Sequence, residues 1–98
     1  MPNIEEELDT RLALDEPKQY KVLLHNDDYT SMEFVIEVLM HVFRKNLADS
    51  ESIMLEIHQA GRGICGIYTH EIAETKVHQV KQLAKTNGFP LLATMEEV

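Results

Sequence analysis

The sequence predicts a small single α+β domain in the order β-α-α-β-α-β, with three helices packed on one face of a three-stranded antiparallel sheet. Two observations carry this. Three short apolar runs, "YKVLLHN", "GICGIYT" and "LLATMEEV", are bounded by polar or glycine–proline punctuation. Between them lie segments whose apolar residues recur every three or four positions, the helical period. A sheet and helices that are each apolar on one side must bury those sides against one another. No repeat or low-complexity stretch interrupts the order, and 98 residues is the length of one domain.

Residues 1–17 read as a flexible acidic N-terminal extension, and residues 18–98 as the core domain. The extension carries Glu5, Glu6, Glu7, Asp9, Asp15 and Glu16 against Arg11 alone, a net −5 of the chain's −8. It lacks aromatic residues and ends at Pro17. Ile4, Leu8 and Leu12 fall at i, i+4, i+8, so the segment is either a transient amphipathic helix or plainly disordered.

The first strand, Tyr20 to Asn26, stops abruptly at Asn26, Asp27 and Asp28. "TSME" then reads as a capping box in which Thr30 and Glu33 each satisfy the other's backbone amide. The first helix is expected over 31–45. Only Glu33, Glu37, His41 and Arg44 share its polar sector. Its apolar arc is wider than the ~100° a core-facing helix needs, which leaves apolar surface for a third layer or a pocket. The second helix is expected over 49–60, capped by Asp49 or Ser50 and ended by Gly61. On it Met54, Ile57 and His58 share a face. The second strand is bounded by Gly63 and interrupted by Gly66. Thr69 caps a third helix over 71–87 with an apolar stripe of Ala73, Val77, Val80 and Ala84, and Gly88 and Pro90 terminate it. The last strand puts Leu91, Ala93 and Met95 on one side.

Composition removes several function classes. A net charge of −8 with no basic concentration argues against nucleic acid. The apolar runs fall far short of the ~20 residues that span a bilayer. The N-terminus lacks a signal-peptide pattern, and one cysteine, Cys65, agrees with a reducing compartment, so a cytoplasmic protein is expected. Cys65 sits inside a strand and reads as a buried structural thiol, not as a nucleophile served by His58. No G-x-S-x-G, P-loop or dinucleotide fingerprint is present. His70, Glu74 and His78 are spaced at i, i+4, i+8, yet read as a solvated face and not a metal site. No catalytic residue, cofactor or metal is expected.

The polar triplet allows two readings. Asn and Asp favour turns because they bond their own backbone. The same residues can also be acceptors waiting at the mouth of a cavity. The surplus apolar arc of the first helix and the position of His58 favour a cavity with walls from Met32, Met54, Ile57 and Leu91, and with Asn26, Asp27 and His58 at its rim. Such a cavity suits a ligand with a cationic head and an apolar side chain.

Three blocks, "YKVLLHNDDYTSMEFVIEVL", "GICGIYTHEIAETKV" and "PLLATMEE", resemble the ClpS adaptor family of the bacterial N-end rule pathway. The similarity runs in order from about Pro17 to Val98. It implies a non-enzymatic adaptor that binds proteins beginning with Leu, Phe, Tyr or Trp and hands them to a ClpA-type AAA+ unfoldase working with ClpP. It implies that Asn26, Asp27 and His58 hold the substrate α-amino group, with Asp28 on the same rim. Thr30, Met32, Val35, Met54, Ile57 and Leu91 would wall the side-chain pocket, with Met32 excluding β-branched residues. Glu71 and Lys76, with Tyr68 nearby, would dock the unfoldase's N-terminal domain. The expected partners are that unfoldase and the degron substrates, with no nucleic acid and no membrane, and the adaptor is expected to be a monomer. Ser31 stands where many relatives have proline, and Ile57 where valine is common. The rival reading is a protein–protein domain that takes no notice of a chain end.

Overall fold

Val22 and Leu24 point to one side of the first strand, β1 (Gln19–His25), and both are fully buried. They form the centre of the sheet because β1 is its middle strand. β2 (Arg62–Thr69) pairs with it on one side and β3 (Leu92–Glu97) on the other, both antiparallel. The structure, a computed structural model, describes residues 17–98; the extension expected over residues 1–17 falls outside the described residues except for Pro17.

Three helices cover the side to which Val22 and Leu24 point: α1 (Met32–His41), α2 (Leu47–Ala60) and α3 (His70–Asn87). The buried set is continuous across these layers and includes Phe34, Val35, Val38 and Leu39 of α1, Ile57 of α2, and Ala73, Val80 and Ala84 of α3. The expected stripe of α3 is therefore its core face, with Val77 partly buried beside it. Phe34 also meets Phe89, with ring centroids 4.7 Å apart.

Several boundaries differ from expectation, each for a local reason. The N-cap of α1 is Ser31, whose Oγ accepts from the Phe34 amide at 3.2 Å. Thr30 does not form the expected capping box, because its hydroxyl is already committed to Asp27. α1 also ends at His41, short of Lys45. There the chain turns left-handed at Arg44 (φ 57°), and the Lys45 amide reaches back to the Leu39 carbonyl at 3.1 Å. α2 begins at Leu47, since Asn46, and not Asp49 or Ser50, caps it by accepting from the Asp49 amide at 2.7 Å. The expected glycine stops hold: Gly61 (φ 90°) and Gly88 (φ 75°) both take the left-handed conformation that glycine adopts without a Cβ penalty.

Against β2 the register slips between Val22 and Leu23, and Cys65 is the extra residue of this bulge. Its thiol is 1% exposed, and burial pushes its pKa up to about 12. A thiol held protonated in this way is poorly nucleophilic, as its place in a strand suggested.

Ser50 is fully buried in the first turn of α2, and its hydroxyl finds no hydrogen-bond partner among the described residues. An unpaired buried hydroxyl is destabilising, and alanine is the better helix former. Ser50→Ala is therefore expected to raise stability by about 1 kcal/mol in urea unfolding; a loss of stability would show that the hydroxyl is bonded.

Candidate functional site

The loop after β1 is built by two sets of hydrogen bonds. The Asn26 amide donates to the Gly61 carbonyl at 2.8 Å, which fastens the loop to the C-terminal cap of α2. Asp27 then organises the turn. Its Oδ1 accepts from the Tyr29 amide at 2.8 Å and the Thr30 amide at 2.7 Å, while Oδ2 accepts from the Thr30 hydroxyl at 2.7 Å. The turn reading of the triplet is therefore correct for Asp27, whose side chain bonds its own backbone.

Those bonds also set its charge. Burial acts to raise the Asp27 pKa, but the bonds from the Thr30 hydroxyl, the Thr30 amide and the Tyr29 amide outweigh it. The carboxyl is held below its ordinary value of 3.8. Three of its roughly four lone-pair sites are occupied, so one remains on Oδ2.

Above this turn lies a cavity of about 280 Å³ lined by Asn26, Asp27, Asp28, Thr30, Met32, Val35, Met54, Ile57 and His58. Its polar groups come from the β1–α1 loop and from His58 in the last turn of α2. Val35 and Ile57 are buried, Met54 is half-buried, and Met32 stands 46% exposed at the rim. The surplus apolar arc of α1 is thus partly accounted for: Met32 and Val35 face the cavity. Among the described residues no lysine or arginine lines it, and two carboxylates do. Its chemistry is that of an apolar recess with an acceptor-rich, negatively charged mouth.

Nine of the ten residues expected at the rim and walls meet here. Leu91 does not. It precedes β3, which pairs with the opposite edge of β1 from β2, and it lines a separate cleft with Val77 and Phe89. The cavity instead lies where α1 and α2 meet the β1–α1 loop. Strand alternation placed Leu91 on the correct face of the sheet but could not tell which flank of that face it occupies.

Of the three expected docking residues, Glu71 and Lys76 lie in the first half of α3 and Tyr68 near the end of β2. Glu71 is exposed in its first turn. Lys76 is half-buried: its Nζ donates to the Val42 carbonyl at 2.7 Å and sits 5.8 Å from the centroid of the Tyr68 ring. Tyr68 lies across Gly66, where any Cβ would collide with its ring. On the same helix His70 faces Glu74 at 3.7 Å and meets the Tyr20 ring edge-on. Among the described residues no three His, Cys, Asp or Glu side chains group to hold a metal.

Gly63 contributes to the site in a way that the sequence reading missed. A Cβ there would come within 2.9 Å of Ile57 Cγ1. The bare backbone lets α2 settle onto β2, and so sets the depth of the cavity wall. The available signal was a glycine inside a strand run, which marks close approach by a neighbouring element.

The Asp27 hydrogen bonds have a consequence for stability. The carboxyl's folded pKa lies below its unfolded value. Its contribution is therefore present above the unfolded pKa and is lost as pH falls through the folded one. Asp27→Asn preserves acceptors for the two backbone amides and removes the titration. The variant is expected to lose less stability than the parent between pH values near 4 and below, as followed by thermal unfolding. Parallel acid limbs for the two proteins would refute the assignment.

Residues 15–94 match the model of the family described as ATP-dependent Clp protease adaptor protein ClpS. A protein named ATP-dependent Clp protease adapter protein ClpS from Wolinella succinogenes is 50% identical over 95 residues, covering 97% of this chain and 93% of the relative. One of the same name from Oleidesulfovibrio alaskensis is 56% identical over 85 residues, covering 87% and 82%. Among solved structures, Agrobacterium tumefaciens ClpS2 bound to L-phenylalaninamide superposes with a TM-score of 0.82 at 42% identity, covering 85% of this chain and all of that one. No helix among the described residues is long and apolar enough to cross a membrane. With the family model spanning residues 15–94 and relatives at about half identity over 82% and 93% of their length, the chain belongs to the ClpS family of Clp protease adaptors.

Proposed function

We propose that this adaptor binds proteins whose first residue is Leu, Phe, Tyr or Trp, by their free α-amino group, and delivers them to a ClpA-type AAA+ unfoldase for degradation by ClpP. The observation that carries this reading is the cavity itself: an apolar recess with acceptors and carboxylates, but no lysine or arginine, at its mouth. Support comes from the ligand of the A. tumefaciens relative. L-Phenylalaninamide has a free α-amine, an aromatic side chain, and an amide where the next peptide bond would begin.

An α-amino group has a pKa of about 7.7–8.0, so at neutral pH it is largely a cation with three donors. The Asn26 side-chain oxygen, the unprotonated nitrogen of His58 and the last lone pair of Asp27 Oδ2 supply three acceptors. The fixed charge of Asp27, with Asp28 beside it, adds attraction. Each hydrogen bond to a charged group contributes about 1.5–3 kcal/mol. An acetylated or internal residue brings one amide donor and no charge, and would leave the acceptors unpaired. The site thus reads a chain end.

The first side chain enters between Met32, Val35, Met54 and Ile57. Burying a Leu or Phe side chain contributes about 1.5–3 kcal/mol. Methionine walls adapt to branched and flat side chains because the thioether is flexible. A β-branched first residue would press its second Cβ substituent against Met32 at the rim, which disfavours Val and Ile.

Fluorescence anisotropy with a Leu-initiated peptide tests the reading. Asn26→Ala and His58→Ala are each expected to weaken binding at least about tenfold, equivalent to about 1.4 kcal/mol, and acetylating the peptide should abolish it. If acetylation changes nothing, the rival reading, a docking domain indifferent to chain ends, replaces this one.

The α3 surface has its own test. Glu71→Ala is expected to weaken binding of the unfoldase's N-terminal domain and leave the melting temperature unchanged. Lys76→Ala is expected to weaken it too, and also to cost about 1 kcal/mol of stability, because the Val42 carbonyl loses a charged donor. Full binding by a folded Glu71→Ala variant would move the docking surface elsewhere.

A further inference from the structure

A second apolar recess lies between the C-terminal half of α3 and the start of β3, and neither the degron cavity nor the docking surface uses it. Val77, Phe89, Pro90, Leu91, Leu92 and Ala93 line it, and Lys81 and Lys85 stand over it. Leu92 is 55% exposed there. These two lysines are unlike most other cations of the domain. Lys18 is paired with Glu97, Lys21 and Arg62 with Glu96, and Lys76 is bonded to the Val42 carbonyl. Among the described residues no ion pair engages Lys81 or Lys85. The recess is therefore an apolar trough flanked by two uncompensated positive charges, in a chain whose net charge is −8.

We propose that the chain's own N-terminal segment, residues 1–16, occupies this recess. Its chemistry is the complement of the trough. Ile4, Leu8 and Leu12 recur every four residues, and the segment between and around them is acidic, with a net charge of −5. On α3, Val77, Lys81 and Lys85 repeat at the same interval of four, so an apolar stripe edged by carboxylates meets an apolar stripe edged by ammonium groups.

The connection is long enough. The chain enters the sheet at Gln19, and β1 runs from there to His25, which pairs with Leu92 at the edge of the recess. That is about 20 Å along a seven-residue strand. Sixteen extended residues span roughly 50 Å. Even with Ile4 to Leu12 coiled into a helix, residues 13–18 still bridge about 20 Å. Because the segment is tethered, its effective concentration at the recess is of millimolar order, so weak contacts suffice to hold it. Opposite charges in a partly exposed trough make the docking salt-sensitive.

Paramagnetic broadening in the full chain tests this. Cys65 is buried with its pKa raised to about 12, so a nitroxide reagent will label a cysteine introduced by Asn3→Cys and leave Cys65 alone. The amides of Val77, Lys81, Lys85 and Leu92 are expected to lose most of their intensity at low salt. The intensity should return at about 1 M salt, where the screening length is about 3 Å. It should also return in the Lys81→Glu/Lys85→Glu double variant, whose substitutions are exposed and lie outside the degron cavity. Broadening confined to the neighbourhood of Lys18 and Val98 overturns the proposal. So does broadening at the recess that charge reversal leaves untouched. Broadening that appears only when a separate copy carries the label assigns the recess to a second molecule, and overturns it as well.

Discussion

The cavity depends on how one carboxylate folds the chain that leaves β1. Asp27 receives two backbone amides and a hydroxyl within four residues, and this turn delivers Thr30 and Ser31 to the start of α1. The Asn26 amide, bonded to the Gly61 carbonyl, fixes the same loop against the end of α2, three residues beyond His58. Of the residues that make these bonds, Asn26, Asp27 and Thr30 also line the cavity. Together they determine which side chains line its mouth. Asn26 anchors the loop through its backbone amide and Asp27 through its side chain, so one rim carboxylate is spent on holding the fold.

This arrangement separates two uses of negative charge in one turn. A carboxylate that already accepts three hydrogen bonds is firmly ionised and firmly placed, but has little acceptor capacity left. It acts on a cation chiefly through its charge. Asn26 and His58 are both exposed and line the mouth of the cavity, and under the proposed function their side-chain acceptors would serve the ligand. The choice between turn and rim posed by the triplet is thus resolved by dividing the labour: Asp27 shapes the turn and charges it, and its neighbours face outward.

Much of this was legible in the sequence, and the failures are instructive. The order of elements, the glycine stops at Gly61 and Gly88 and the core stripe of α3 follow from period and punctuation, which are local properties. The excess apolar arc of α1 announced a cavity because burial on the sheet could not use it all. What failed were choices between equivalent local partners. Thr30 and Ser31 both fit a helix cap, and the competition was decided by Asp27, which claimed the threonine. Asn46 outcompeted Asp49 and Ser50 as the cap of α2 and left Ser50 buried without a partner. Arg44 entered a left-handed conformation that its residue type does not advertise. Leu91, expected on the cavity wall, lines the cleft beside α3, because a strand pattern identifies a face and not a neighbour. Gly63 was read as a boundary, though its missing Cβ sets how deeply Ile57 descends.

Lys76 ties α3 to the end of α1. Its ammonium closes the end of α1 by bonding the Val42 carbonyl, and its other neighbour is the face of Tyr68, which reaches it by lying across Gly66. The chain leaves the helix abruptly: the helix stops at His41 and the chain then turns through a left-handed arginine. Phe43 and Val42 nonetheless belong to the core. A lysine from α3 therefore secures the helix whose other end supplies Met32 and Val35 to the cavity. A partner that bound at Tyr68 and Glu71 would press on the same helix–helix contact. The cavity would stay in register, because what it rests on at the other end of α1 is the Asp27 turn, whose hydrogen bonds close within residues 27–30. Under the proposed function, capture at one end and docking at the other would then use different side chains, those lining the cavity and those of Tyr68, Glu71 and Lys76.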